Sequence, residues 1–212
     1  MLALALALAV TTAAGAEAPA PPPSDAQALV RKVQAAYERT RDLTATFKQT
    51  YTYAGFGRKQ VSSGVLQVKK PGMMRWEYQK PALKTVVVKG SRLVQYEPDE
   101  NQAYVDEHFD SSGMSAALAF LLGKGDLAKE FEVSMGEKGA LLLRPRVEDP
   151  RVDRIELVTD ADGQISVTRV LDGAGNVNEI QLQDVRRNTG LADAAFDLKL
   201  PAGVVKTSPP VK

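Results

Sequence analysis

The sequence predicts a mainly β fold with helices: an antiparallel meander of about eleven short strands, with two or three helices placed over it. Three observations predict it. The hydrophobic period changes from about 3.6 to 2 near residue 42. Short runs of β-branched and aromatic residues then recur at near-even spacing, divided by Gly, Pro, Asp and Asn turns. One very apolar helical stretch, residues 114–122, interrupts the strands in mid-chain.

Taken in order, residues 2–10 form an apolar run too short to span a bilayer, and small residues follow it to Ala14-Gly15-Ala16. This reads as a signal peptide cleaved after Ala16, although no Lys or Arg precedes the run, so the true start can lie upstream. Residues 17–23 (EAPAPPP) are a proline-rich spacer. Ser24 and Gln27 fit a capping box that opens an amphipathic helix over residues 25–40, with Ala26, Leu29, Val30, Val33, Ala36 and Tyr37 on one stripe.

The first strand, residues 43–53, alternates Leu43, Ala45, Phe47, Gln49, Tyr51 and Tyr53 with threonines and Lys48. Further strands are expected at 59–69, 73–79, 84–89, 92–96 and 102–106, with Pro71-Gly72 supplying one tight turn. After the 114–122 helix and a short helical piece at 126–129, strands resume at 130–135, 140–145, 154–159, 165–171 and 178–185. A last strand is expected at 195–199. Residues 24–206 then make one domain, and 207–212 a disordered tail.

Composition narrows the function. A net charge of +1 with 25% charged residues gives no electrostatic case for nucleic acid or an anionic membrane surface. There is no cysteine, so no disulfide, no thiolate nucleophile and no acylation of the chain itself. The single histidine, His108 in VDEHFD, reads as a solvated loop residue. DADG (160–163) and DGAGN (172–176) carry aspartates as calcium loops do, but lack the downstream glutamate; tight-turn chemistry explains them. No nucleophile elbow, phosphate loop or paired carboxylates stand out. The expectation is a protein that is not an enzyme, with no cofactor and no metal.

Surfaces remain. Along the hairpin LQVKKPGMMRWEYQKP, Leu66, Val68, Lys70, Met74, Trp76 and Tyr78 fall on one face, while Gln67, Lys69, Arg75 and Glu77 fall on the other. Any sandwich core has such a face, so the pattern alone leaves core and cavity both open. The second helix favours a cavity. Leu118, Phe120, Leu121 and Leu122 make it more apolar than a one-sided surface helix needs, and with the first helix it can close over a curved sheet as a lid.

Several stretches carry a resemblance. These are Phe47-Lys48-Gln49, then GVLQVKKPG (64–72), Arg75-Trp76-Glu77-Tyr78 and Pro81, VVVKG (86–90), LVQY (93–96) with Pro98, and FDLKLPAGV (196–204). In that order they resemble the periplasmic outer-membrane lipoprotein carrier family, LolA, over residues 24–205. The resemblance implies a half-open antiparallel β-barrel of about eleven strands, capped by helices that form a lid over a hydrophobic cavity. It implies a soluble, monomeric periplasmic chaperone. Such a carrier takes acylated lipoproteins from the inner-membrane ABC transporter LolCDE and delivers them to the outer-membrane receptor LolB. Met74 and Trp76 then fall at cavity-lining positions, with Leu66, Val68 and Tyr78 on the same face and the 118–122 helix as lid. Lys70 falls where the family carries an arginine that hydrogen-bonds the lid backbone, with Lys69 or Arg75 able to share the task. A carrier of another lipid or glycolipid, or a lipoprotein-sensing domain, stays open on the same fold.

Overall fold

The computed structural model describes residues 24–110 and 125–209. Helix α1 (Asp25–Glu38) begins at the expected cap: the Ser24 hydroxyl accepts from the Gln27 amide, and the Gln27 side chain accepts from Ser24 N. Its apolar stripe, Ala26, Val30, Val33 and Ala36, is buried. The helix stops short of residue 40, where Thr40 turns its hydroxyl back onto the Ala36 carbonyl and satisfies one of the free acceptors of the last turn.

Among the described residues, twelve strands form one sheet. They are β1 (Asp42–Thr52), β2 (Lys59–Lys69), β3 (Met73–Lys80), β4 (Lys84–Lys89), β5 (Arg92–Glu97), β6 (Gln102–Asp106), β7 (Phe131–Met135), β8 (Leu141–Pro145), β9 (Arg154–Thr159), β10 (Ile165–Leu171), β11 (Val177–Arg187) and β12 (Val205–Thr207). A single turn of helix, α2 (Leu127–Glu130), leads into β7 and is capped by the Asp126 carboxylate. In space the order is β12-β6-β5-β4-β3-β2-β1-β11-β10-β9-β8-β7. Two meanders are thus stitched together by the long β1–β11 pairing, and the sheet stays open because β12 and β7 do not meet. All neighbours are antiparallel except β12, which runs parallel to β6.

The strand expected at 195–199 is not one. Residues Asp193–Phe196 form a turn of 3-10 helix, and the chain from 191 to 204 crosses the outer face of the sheet as a strap before ending in β12. Phe196 is buried at its centre, and Leu198, Leu200 and Val204 pack on Val94, Ala103 and Val105. Lys69 donates to Leu191 O (2.6 Å) and Asp193 (2.5 Å), Lys89 pairs with Asp197 (2.5 Å), and Arg75 reaches Ala195 O (3.5 Å). Lys69 and Arg75, expected as helpers of a lid, are instead spent on this strap on the opposite face.

On the inner face the register sets Leu66 against Trp76, Val68 against Met74, and Gly64 against Tyr78. Gly64 is required there: a Cβ would lie 1.9 Å from the Glu77 carbonyl oxygen and 3.0 Å from the Phe47 ring. Two apolar walls result. Phe47, Leu66, Val68, Met74, Trp76 and Val88 make one. The other joins the α1 stripe to Leu127, Phe131, Leu141, Leu143, Ile155, Leu157 and Ile165. Gly163, in the β9–β10 turn at φ +80°, lets that turn come against the α1 backbone, where a Cβ would lie 2.7 Å from Lys32.

Candidate lipid-binding cavity

Alternation in β3 sends Met74, Trp76 and Tyr78 inward, and alternation in β9 sends Ile155 and Leu157 towards them. Between the two walls lies a cavity of about 760 Å³. Met74, Trp76, Tyr78 and Val86 line it on one side, and Leu143, Ile155, Leu157 and Ile165 on the other, with Ile180 and Leu127 also reaching it. A cavity of this size and apolar character is what a small greasy ligand needs.

Its aromatic side is a cluster of three rings in mutual contact. Phe47 meets Trp76 edge-on with ring centres 5.3 Å apart, and meets Tyr78 the same way at 5.1 Å. Trp76 and Tyr78 lie nearly parallel at 6.3 Å. The Lys84 ammonium sits 4.5 Å from the centre of the Tyr78 ring. Burial pushes the Tyr78 phenol up to about 12, so it keeps its proton and donates to Gln49 Oε1 at 3.0 Å. The indole N–H of Trp76 is buried with no hydrogen-bond partner among the described residues.

Leu66 and Val68 do not line this cavity. They border a second, much smaller space of about 80 Å³, together with Val33, Tyr37, Lys70 and Leu182. Trp76, Ile165, Thr168 and Ile180 belong to both spaces and divide them. The six hairpin residues expected on one face do share it, but they serve two compartments. Leu118, Phe120, Leu121 and Leu122 lie outside the described residues.

Lys70 closes the small end. Its ammonium donates to the Tyr37 carbonyl at the end of α1 and lies 3.5 Å from the centre of the Tyr37 ring. The last turn of α1 has no basic residue of its own, so Lys70 supplies the cation that a helix C-terminus favours. Burial lowers its affinity for a proton, and the neighbouring Glu38 carboxylate opposes that effect. The Lys70 backbone N–H also donates to Arg41 O, which ties the β2 end to the α1–β1 junction.

That junction is a polar knot. Buried Asp42 accepts from Thr189 N (2.7 Å), the Thr189 hydroxyl (2.9 Å) and Gly190 N (3.0 Å). Burial opposes its ionisation, but the Thr189, Gly190 and Leu191 donors outweigh it and hold the carboxyl below the usual range. Asn188 bridges the Arg41 N–H and the Arg39 carbonyl.

The remaining candidates resolve as turn chemistry. Asp160 accepts from the amides of Asp162 and Gln164, and Asp172 from those of Ala174 and Asn176. His108 is exposed beside Asp106, and no metal-ligating cluster occurs among the described residues. Sequence reasoning missed the whole opposite wall, β8 to β10, and the polar side chains Gln49 and Asn178 on the cavity surface. The signal for Gln49 was present: it is the one amide in the otherwise apolar inner series of β1.

Residues 38–199 match the family described as outer membrane lipoprotein carrier protein LolA. The chain belongs to the LolA family. It is 30% identical over 179 residues to the outer-membrane lipoprotein carrier protein of Methylobacillus flagellatus, covering 82% of this chain and 86% of that one. The protein of the same description from Azotobacter vinelandii is 31% identical over 189 residues, covering 85% and 89%. Among solved structures, an uncharacterized conserved protein from Thermus thermophilus shares the fold, with a TM-score of 0.52 at 15% identity, over 87% of this chain and 99% of that one. The open, mostly β sheet is therefore a LolA-type sheet, with twelve strands where about eleven were expected.

Proposed function

We propose that this LolA-family chain is a periplasmic carrier that encloses the acyl chains of lipoproteins in the 760 Å³ cavity and ferries them to the outer membrane. The observation that carries this is an apolar cavity facing the concave side of an open sheet, with a cation fastening the adjacent helix. Residues 1–16 act as the export signal and 17–23 as the spacer. Cargo arrives from an inner-membrane transporter of the LolCDE kind and leaves to a receptor of the LolB kind. No reaction is catalysed.

Thermodynamics supports a weak grip. Burying an acyl chain contributes about 0.8 kcal/mol per methylene, so a triacylated anchor represents tens of kcal/mol. A cavity that matched all of that would hold its cargo permanently, since affinities saturate near about 20 kcal/mol. Met74 and Trp76 cover the chains, while Lys70 holds α1 over the small space beside Leu66 and Val68 when the cavity is empty. Loading breaks the Lys70–Tyr37 contact and merges the two compartments, so part of the cargo's binding energy is spent on opening.

The test is a release assay. Mature protein from about residue 17 is added to spheroplasts of its source organism, and the supernatant is examined for acylated lipoprotein in one-to-one complex. Soluble acylated cargo is the expected result. Folded carrier without cargo, with an active transporter, refutes the proposal.

A further inference from the structure

The inner face of β1 and β11 carries a row of polar groups that an acyl-lined chamber has no reason to tolerate. Tyr78 Oη donates to Gln49 Oε1 at 3.0 Å, and Gln49 Nε2 donates to Asn178 Oδ1 at 2.9 Å. All three side chains are half-buried and line the large cavity. Asp172 and Asn176 also border it, but they are spent on turns: Asn176 donates to Asp172 within its own turn and accepts from Ala54 N in the β1–β2 connection. The Tyr78–Gln49–Asn178 row holds up no turn and no strand end.

The row has a direction. The phenol donates to the Gln49 oxygen, and the Gln49 amide nitrogen points towards Asn178. The Gln49 nitrogen in turn occupies the Asn178 oxygen. What remains is one N–H on Gln49 and both N–H groups on Asn178, with no acceptor for them among the described residues. A mostly apolar wall with these N–H donors to spare is complementary to a greasy ligand that bears one strong acceptor.

We propose that Gln49 and Asn178 form a carbonyl station within the cavity, binding the ester or amide carbonyl oxygen at the head of a fatty acyl chain. The proposal rests on the acyl-carrier reading and deepens it. Along an acyl chain the head carbonyl oxygen is the sole strong acceptor, and an ester head carries no N–H or O–H. Seating it on the amide row sets the depth to which the hydrocarbon enters, with the methylenes lying against Trp76, Ile155 and Leu157. Ether-linked alkyl chains of equal length fill the same space but leave the donors unpaired.

The experiment displaces an environment-sensitive apolar dye from the full mature protein, using monomyristoylglycerol and, in parallel, tetradecyl glyceryl ether. The two probes share chain length and headgroup and differ in the carbonyl. Wild type is expected to prefer the ester roughly threefold to tenfold, the worth of one neutral hydrogen bond. Asn178→Asp keeps the shape but replaces donors with acceptors, and is expected to abolish or invert that preference, read as the ratio of ester to ether displacement within the variant. Gln49→Glu serves as the second variant and gives the same loss. A synthetic diacylglyceryl-cysteine peptide identifies the source of the carbonyl. Weakening by Asn178→Asp for both peptide and monoglyceride assigns the station to lipoprotein heads; weakening for the monoglyceride alone assigns it to free glycerides. Equal affinity of wild type for ester and ether overturns the station and leaves the carrier reading intact. Failure of both lipids to displace the dye overturns the carrier reading itself.

Discussion

Replacing Lys70 by methionine removes the ammonium that joins the sheet to α1 and keeps most of the aliphatic stem. Two contacts disappear. The charge-assisted hydrogen bond to the Tyr37 carbonyl is worth about 1.5–3 kcal/mol, and the cation over the Tyr37 ring about 0.5–2 kcal/mol. The half-buried ammonium has been stripped of part of its water, which offsets a share of both. A net loss of about 2 kcal/mol remains, enough to shift the balance between fastened and released α1 about thirtyfold. Amide hydrogen exchange reads this directly. Residues 35–40 should lose protection in Lys70→Met while the β1–β2 and β1–β11 ladders keep theirs, and an apolar dye should enter faster. Lys70→Arg should retain the contact, because the guanidinium also donates to a carbonyl and stacks on a ring. If exchange at 35–40 and dye entry match wild type in Lys70→Met, Lys70 does not hold the helix and the fastening role assigned to it is wrong.

Other outcomes follow from the same contacts. The carboxyl of Asp42 is held below its unfolded value, so its contribution is present above about pH 4 and is lost as pH falls through the folded value. Asp42→Ala should therefore destabilise the protein by about 3 kcal/mol at neutral pH, and its melting temperature should converge on wild type in acid. Parallel melting curves at both pH values would discount the knot. Gly64→Ala forces a Cβ onto the Glu77 carbonyl and should cost about 3 kcal/mol or more in urea unfolding. Phe196→Ala should cost about 3–5 kcal/mol by emptying the strap's anchor, whereas Asp197→Asn, at an exposed ion pair, should change little. Trp76 is the sole tryptophan, so a brominated fatty acid that enters the cavity should quench its emission, and unbrominated acid should reverse the quenching by competition.

Much of the sheet was legible because period-2 alternation and turn residues act locally. Strands β2, β4, β6, β9 and β10 begin and end where the pattern says. The failure at 195–199 is instructive. Phe196, Leu198 and Leu200 do alternate, and they do bury one side, but the backbone lies across the sheet's face and has no ladder partner. Alternation reports which side is buried; it does not report hydrogen-bond pairing. The real last strand, Val205–Thr207, is too short to carry any pattern. The site divides along the same line. One hairpin announces its own greasy face, yet only the fold reveals that Leu66 and Val68 fall on one side of Trp76 and the main cavity on the other. The facing wall comes from strands roughly 65 to 90 residues away, a distance across which no local period carries information.

The unclosed sheet has a mechanical consequence. In a sealed barrel, strand number and stagger set the bore, and widening it means breaking a seam of backbone hydrogen bonds. Here β12 and β7 share no seam, so the two meanders can splay about the β1–β11 junction by a small change of twist at each strand, with every ladder bond kept. The strap covers the β2–β6 half from outside, and the β7–β10 half has no such cover on its outer face among the described residues. Chamber width thus becomes an elastic variable instead of a constant, and passengers of differing girth can be accommodated by one sheet without rupturing a single rung.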